Sequence, residues 1–284
     1  MTTPRSTLQD ALHTATRALA ATSGSARLDA EWLLSYVTGL SPAGLRARGD
    51  QALGELERVH YESLVARRAR GEPIAYILGE WEFWSLPLTV SPAVLVPRPE
   101  TELLVELALA RVPPGRPVEV LDLGTGSGAI AVALAVERPL ARITAVDRSA
   151  AALEVAARNV ARHAPGRIEL RESDWFARLA ARTFDVIVGN PPYVAVDDPS
   201  LEASVGAYEP ATALLAGVTG LDALEAIVAG ASSHLVPGGA LLLEHGDMQG
   251  AAVRRLFASA GLEHVTTHVD LADHERVTSG TWPG

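Results

Sequence analysis

One stretch of this 284-residue chain combines hydrogen-bond acceptors with a rigid backbone: Asn190-Pro191-Pro192-Tyr193. Two successive prolines fix φ twice and remove two backbone donors, so neither a helix nor a ladder continues through them. The turn presents a carboxamide, carbonyl oxygens and one ring, a set suited to holding a planar N–H₂ group. The run before it, Phe184 to Gly189, is short, apolar and β-rich, as a buried parallel strand is. Open α/β sheets bind ligands at the carboxyl ends of their strands. A Pro-Pro pair by itself also makes a plain tight exit from a strand. The flanking Asn and Tyr, and a glycine-rich strand exit upstream, argue for a site.

That upstream exit is Val118-Glu119-Val120-Leu121-Asp122-Leu123-Gly124-Thr125-Gly126-Ser127-Gly128-Ala129. Glycines reach positive φ and let a ligand approach where a Cβ would block it. The free amides of the helix start favour electron-rich atoms. Asp147 ends the next predicted strand, where its carboxylate can accept both hydroxyls of a ribose, each such bond contributing roughly 1.5–3 kcal/mol. Two cofactors fit these residues, because Gly124 to Ala129 also satisfies the dinucleotide pattern G-x-G-x-x-[GA]. Asp122 can answer the positive methionine end of S-adenosylmethionine. Ser173-Asp174-Trp175-Phe176 follows the third strand and sets an aromatic beside the expected adenine, where stacking contributes roughly 1–3 kcal/mol. Trp175 is assigned to adenine and Phe176 to the core.

These residues need a scaffold, and the chain supplies two. From Val118 onward strands and helices alternate. Strands are predicted over 118–123, 142–147, 167–171, 184–189 and 240–244, and helices over about 128–137, 149–163, 219–235 and 248–259. This rhythm implies a mostly parallel sheet covered on both faces. Leu262 to Val269 and Arg276 to Trp282 are two further strand candidates. Residues 6 to about 70 are helical in pattern: Leu8, Ala11, Leu12, Ala15, Leu19 share one face, and Leu28, Trp32, Leu33, Tyr36, Val37 another. Ser41-Pro42 reads as a cap and first helical residue. A third stretch, Leu53 to Ala69, ends in Arg67, Arg68 and Arg70, which suit a helix C-terminus before they suit a partner. Between the two regions, Trp81–Ser85 and Leu86–Val90 read as a hairpin. The loop Pro97 to Glu102 then enters a helix that runs to about Arg111.

Composition narrows the options. The formal net charge is −10 and every Lys/Arg position is Arg, a balance that argues against general attraction to nucleic-acid phosphates. Without cysteine there is no disulfide, thiolate metal site or cysteine nucleophile. Met1-Thr2-Thr3-Pro4-Arg5 lacks the apolar core of a signal peptide, and no apolar run is long enough to span a bilayer, so a cytoplasmic location is expected. The eight histidines show no third ligand for the pair His264 and His268, while His245 follows the strand at 240–244 and can reach the cleft. Satisfied structural or surface roles suit them best.

Asp122-Leu123-Gly124-Thr125-Gly126-Ser127-Gly128 with Asn190-Pro191-Pro192-Tyr193 resembles the class I methyltransferases that modify an amide or amino nitrogen. Adenine-N6 DNA methyltransferases share the four-residue turn, so the turn does not choose the substrate. Gly71–Gly79, Glu82-Phe83-Trp84, Val96–Glu102, Tyr208-Glu209-Pro210 and Gly238–Glu244 match, in order, the peptide chain release factor glutamine methyltransferase family. The resemblance implies a Rossmann-like seven-stranded sheet with a small N-terminal helical bundle. It also implies three parts: 1–80 binding the release factor, 81–97 a hairpin linker, and 98–284 the methyltransferase domain. The implied reaction moves a methyl group from S-adenosylmethionine, leaving S-adenosylhomocysteine, to N5 of the glutamine in the Gly-Gly-Gln tip of class I release factors. Gly124, Thr125, Gly126, Ser127, Gly128, Asp147, Trp175 and Asn190 would hold the cofactor; Asn190, Pro191, Pro192 and Tyr193 would hold the glutamine amide. The Asn190 side-chain oxygen and Pro191 carbonyl would accept its two N–H bonds, with Tyr193 packed against its plane. No metal, base, membrane or nucleic-acid contact is implied, and a monomer is expected. Glu209 and Glu244 are readable as general bases, though capping or support of the loop suits both better. The family tends to place Gly where this chain has Asp273, and Asp tolerates left-handed backbone, so the turn is expected to survive. Three rivals remain open here. An adenine-N6 methyltransferase would need a cationic groove; the others are a non-catalytic adaptor and a nicotinamide oxidoreductase.

Overall fold

The strand–helix alternation from Val118 onward builds one seven-stranded sheet, ordered β5-β4-β3-β6-β7-β9-β8. In this computed structural model, residues 6–198 and 203–284 are described. Met1 to Arg5, read above for a targeting segment, lie outside them. The chain divides into two units, Met1–Gly79 and Glu80–Gly284.

The first unit is helical: α1 (Leu8–Leu19), α2 (Ala26–Thr38), α3 (Pro42–Ala47), α4 (Glu55–Ala69) and α5 (Ile74–Leu78). Thr7 and Asp10 cap α1 reciprocally, and Leu8, Leu12, Ala15 and Leu19 are buried as the periodicity predicts. Ser41 accepts from Gly44 N at 3.1 Å and caps α3. The expected face of α2 is rotated, however. Leu28 and Tyr36 are exposed, while Asp29, Ala30, Leu33 and Leu34 are buried. Asp29 tolerates burial because Arg68 Nε donates to it at 2.6 Å and the Ser23 and Ser25 hydroxyls donate as well. Arg67 likewise donates to Glu72, at 2.8 Å. These two guanidinium groups thus hold the unit together. Helix α5 was not legible as a helix; it is short, with Pro73 before it and Gly79 in left-handed backbone after it.

The second unit opens with the expected hairpin, β1 (Glu80–Phe83) and β2 (Leu86–Thr89). Then follow α6 (Thr101–Arg111), β3 (Glu119–Leu123), α7 (Ala129–Glu137), β4 (Arg142–Asp147), α8 (Ala150–His163), β5 (Ile168–Glu172) and β6 (Phe184–Gly189). The remainder is α9 (Ala203–Tyr208), α10 (Ala211–Leu214), α11 (Asp222–Ala231), β7 (Leu235–Glu244), α12 (Gly250–Ser259), β8 (Glu263–Val269) and β9 (Glu275–Thr281). Asn159 of α8 binds both backbone groups of Thr89, at 2.7 and 2.9 Å, and so ties the hairpin to this unit.

Strands β3 to β7 are parallel; β9 runs antiparallel between β7 and β8. The chain winds from β3 outward to β5, then returns to β6 on the other side of β3. That reversal opens a crevice at the carboxyl ends of β3 and β6. Alternate strand residues feed two cores: Val120, Val188 and Leu242 on one face, Leu121, Ile187 and Leu241 on the other. Strand β7 begins at Leu235, earlier than predicted, and α11 ends earlier, at Ala231. Leu235 pairs with Phe184 before a register shift that absorbs Pro237 to Gly239.

Candidate active site

A cavity of about 380 Å³ lies at this crevice. Among its walls are Gly124, Thr125, Gly126 and Ser127 after β3, Asp147 after β4, Trp175 after β5, and Asn190 and Pro192 after β6. Residues singled out separately in the sequence thus share one space.

The glycine turn is shaped by close approach. Gly124 has φ +70°, and a Cβ there would meet the Trp175 ring at 3.4 Å. Gly128 does different work: it lies outside the cavity lining, and a Cβ on it would press on Ala156 of α8 at 3.3 Å. Asp147 holds the turn, its two oxygens accepting from Gly126 N and Ser149 N, each at 2.9 Å. Asp122 is fully buried beneath the turn rather than on the cavity wall, accepting from Thr125 Oγ1 at 2.6 Å. Burial pushes its carboxyl up to about 7, against the pull of the Thr125 bond. Trp175 stands half-buried against the cavity, whereas Phe176 stacks on His234 with ring centroids 4.6 Å apart, as the core assignment predicts.

The turn after β6 faces two ways. Asn190 and Pro192 line the cavity; Pro191 is buried and Tyr193 packs beside the second core, and neither is on the cavity wall. Asn190 Nδ2 donates to Thr101 Oγ1 at 3.1 Å, which leaves Oδ1 free as an acceptor. The Tyr193 hydroxyl donates to Glu244 Oε1 at 3.3 Å. Burial, reinforced by Glu244, raises the Tyr193 phenol well above its ordinary range and keeps it a donor. Glu244 is itself buried and pushed up to about 7 by burial, with Glu100 adding and the Thr101 and Tyr193 hydroxyls and Arg276 opposing.

Supporting residues complete the frame, Gln249 unmarked by the sequence and Glu209 in the loop-supporting role expected of it. Gln249 Nε2 donates to the Tyr193 carbonyl at 2.9 Å. Glu209 is buried, accepting from Arg98 at 2.6 Å and from Val96 N at 3.2 Å, so it braces the loop along the cavity wall. Thr101 and Arg98 sit inside the quoted stretch Val96–Glu102, but nothing in their types marked their partners. His245 is buried away from the cavity lining, its ring nitrogens at 2.8 Å from the Gly246 carbonyl and the Thr278 hydroxyl. Asp273 takes left-handed backbone at φ +62°, so the turn into β9 forms with Asp in that place. Among the described residues, no cluster of side chains suits a metal ion and no helix is long and apolar enough to cross a membrane.

Residues 10–79 match the PrmC N-terminal domain, and residues 99–216 the methyltransferase small domain. The release factor glutamine methyltransferase of Xylella fastidiosa (strain Temecula1) is 49% identical over 265 residues, covering 93% of this chain and 96% of that protein. The one from Escherichia coli (strain K12) is 49% identical over 260 residues, covering 92% and 94%. In fold alone, the chain is similar to the T. thermophilus 16S rRNA N2 G1207 methyltransferase, solved in complex with AdoMet and guanosine. That likeness has a TM-score of 0.53 at 23% identity, over 71% of this chain and 49% of that one. With near-complete coverage of both curated relatives at such identity, the chain belongs to the release factor glutamine methyltransferase family.

Proposed function

We propose that this chain transfers a methyl group from S-adenosylmethionine to the side-chain amide nitrogen of a release-factor glutamine, the one in the Gly-Gly-Gln tip of class I factors. Family membership supports the reaction. The observation that carries the chemistry is the single cavity lined by both the glycine turn and Asn190. The residues present fit the cofactor: Gly124 leaves room beside the Trp175 ring, Asp147 offers a carboxylate for ribose hydroxyls, and Trp175 offers a face for adenine. When bound, S-adenosylmethionine supplies an electrophilic methyl group.

An amide nitrogen is a weak nucleophile because its lone pair is delocalised into the carbonyl. In this reading Asn190 Oδ1, on the cavity wall, accepts one N–H bond of the amide, which orients the nitrogen and stabilises positive charge developing on it. The Pro191 carbonyl as second acceptor and the Tyr193 ring as backing for the amide plane, both behind the wall, require the turn to open towards the substrate when it binds. The methylated nitrogen is strongly acidic and releases its proton to water, so Glu244 and Glu209 support the loop and do not act as bases. Residues 1–80 dock the release factor, 81–97 link and 98–284 carry out the transfer; the PrmC N-terminal domain match over 10–79 supports the first part, while the hairpin within 81–97 belongs to the second unit. The protein works as a cytoplasmic monomer on protein, not nucleic acid, and a net charge of −10 supports the last point.

Incubation with labelled S-adenosylmethionine and, separately, a release factor and duplex DNA tests this reading. Label is expected on the Gly-Gly-Gln glutamine; label on DNA alone overturns the choice of substrate. Asn190→Ala is expected to fold and to lose transfer by about 100-fold or more, the size of effect seen when an oriented polar group is removed from a reacting centre. Near-normal turnover by that variant overturns the role given to Asn190.

A further inference from the structure

S-adenosylmethionine has two ends of different chemistry. Trp175 and Asp147 offer the stacking face and the ribose acceptor that its adenosine end needs. The methionine end carries an α-carboxylate, and a carboxylate taken out of water needs a paired charge or hydrogen-bond donors. Sheet order fixes where that end must lie. Trp175 follows β5, Asp147 ends β4, the glycine turn follows β3 and Asn190 follows β6, and these strands are neighbours in that order. Neighbouring strands lie about 4.8 Å apart, so the ends of β4 and β6 are separated by about 10 Å. With adenosine at β5 and β4, the methionine end falls on the β3–β6 side, beside Asn190.

Among the described residues, two guanidinium groups line the cavity, those of Arg98 and Arg148. Arg148 directly follows Asp147 and is exposed, at the adenosine end. Arg98 belongs to the other end. Its carbonyl accepts from Thr101 N at 3.1 Å, and Thr101 Oγ1 accepts from Asn190 Nδ2 at 3.1 Å. The other charged residues among the described walls, Asp147, Asp174 and Asp222, are acids and repel a carboxylate. Arg98 is also held in place. Its Nη2 donates to Glu209 Oε1 at 2.6 Å, while Glu209 Oε2 accepts from Val96 N at 3.2 Å. The Glu209 side chain is 2% exposed and that of Arg98 32%, so the acid is sealed behind a guanidinium that still meets the cavity. That guanidinium has further N–H donors beyond the one this bond uses. Glu209 offsets part of its positive charge, so Arg98 offers directed donors in a planar fork rather than a free cation.

We infer that Arg98 binds the α-carboxylate at the methionine end of S-adenosylmethionine, and that Glu209, buried behind it, is the positioning residue that keeps the guanidinium turned to the cavity. This rests on the proposed cofactor and on adenine lying at Trp175. Fixing the cofactor at both ends sets the place of the methyl group between them, beside Asn190.

The test titrates the full-length protein, by calorimetry, with S-adenosylhomocysteine and with S-adenosyl-3-thiopropylamine, the same molecule without its carboxylate. The parent is expected to bind the first about 10- to 100-fold more tightly, the size of a charge-assisted bond. Arg98→Met keeps the stem and removes the donors. It is expected to weaken S-adenosylhomocysteine by that factor and the decarboxylated ligand by less than about threefold, so that the preference disappears. Arg148→Met should keep the preference to within about twofold. Glu209→Gln should reduce it at least about threefold, with the fold retained in a thermal melt. Equal weakening of both ligands in Arg98→Met would make Arg98 a structural brace and overturns the inference, as does an unchanged preference. If Arg98→Met does not fold, Arg98→Gln, which can still donate to Glu209, takes its place under the same criteria. A parental preference in Glu209→Gln overturns the positioning role. Failure of the parent to bind S-adenosylhomocysteine would instead overturn the cofactor reading, and parental binding by Trp175→Ala the placement of adenine.

Discussion

The Gln249 carboxamide donates to the Tyr193 carbonyl at 2.9 Å and to the Gly220 carbonyl at 3.3 Å, while its oxygen accepts from Gly246 N at 2.9 Å. One side chain therefore joins the turn after β6 to two other loops. Space for this junction comes from Gly220, which has φ +72° and whose Cβ, if present, would lie 2.4 Å from the Tyr193 carbonyl. Gly220→Ala is expected to displace Tyr193 and strain the backbone by about 1–2 kcal/mol. That should lower the melting temperature by roughly 3–8 °C. A thermal melt and kcat on release factor check it; kcat is expected to drop about tenfold, since the shift reaches the turn proposed to hold the amide.

Asp147 has two tasks, holding Gly126 N and Ser149 N and keeping a charged face on the cavity. Asp147→Asn has one acceptor oxygen for two N–H groups and no charge. Loss of one charge-assisted bond of roughly 1.5–3 kcal/mol predicts about 10- to 100-fold weaker binding of S-adenosylhomocysteine. Calorimetric titration measures it directly. Unchanged affinity would remove Asp147 from the cofactor site.

Glu244 and Asp122 are held by burial at about 7, against ordinary values of 4.5 and 3.8. Below those ordinary values both states are protonated and no difference arises. Between them and about 7 the unfolded chain releases protons that the folded chain keeps, so the stabilisation these groups give is lost as pH rises. Stability contributed by this pair is therefore expected to decline from about pH 4 to about pH 7 and then level off. Melts of Glu244→Gln at the two pH values should show a smaller decline than the parent protein. An equal decline would mean that Glu244 titrates as in the unfolded chain.

Much of the second unit was legible because its signals are local. Buried strands such as Phe184 to Gly189 are apolar but for one residue, Asp185, and glycine and proline punctuate their exits. The face of α2 was not legible in the same way. Periodicity counts apolar side chains, and there a charged residue, Asp29, takes the buried place because Arg68 reaches it from α4. The start of β7 was missed for a related reason: Pro237-Gly238-Gly239 reads as a break, but pairing with β6 carries the strand through it on a bulge.

At the site, the sequence alone marked Gly124 to Ser127, Asp147, Trp175 and Asn190, which meet in the cavity; Asp122, Gly128, Pro191 and Tyr193, marked with them, lie behind its wall. Their identities and their places after successive strands are encoded within short stretches, and the strand order brings those strand ends together. Only the tertiary structure decided how those groups are held. Asn190 is bound to Thr101, 89 positions away, and Tyr193 to Glu244, 51 positions away. A hydroxyl or a carboxyl has no sequence signature for its partner. Its role depends on which atom faces it across the packed boundary between α6 and the sheet, and burial then sets how strongly the contact is felt.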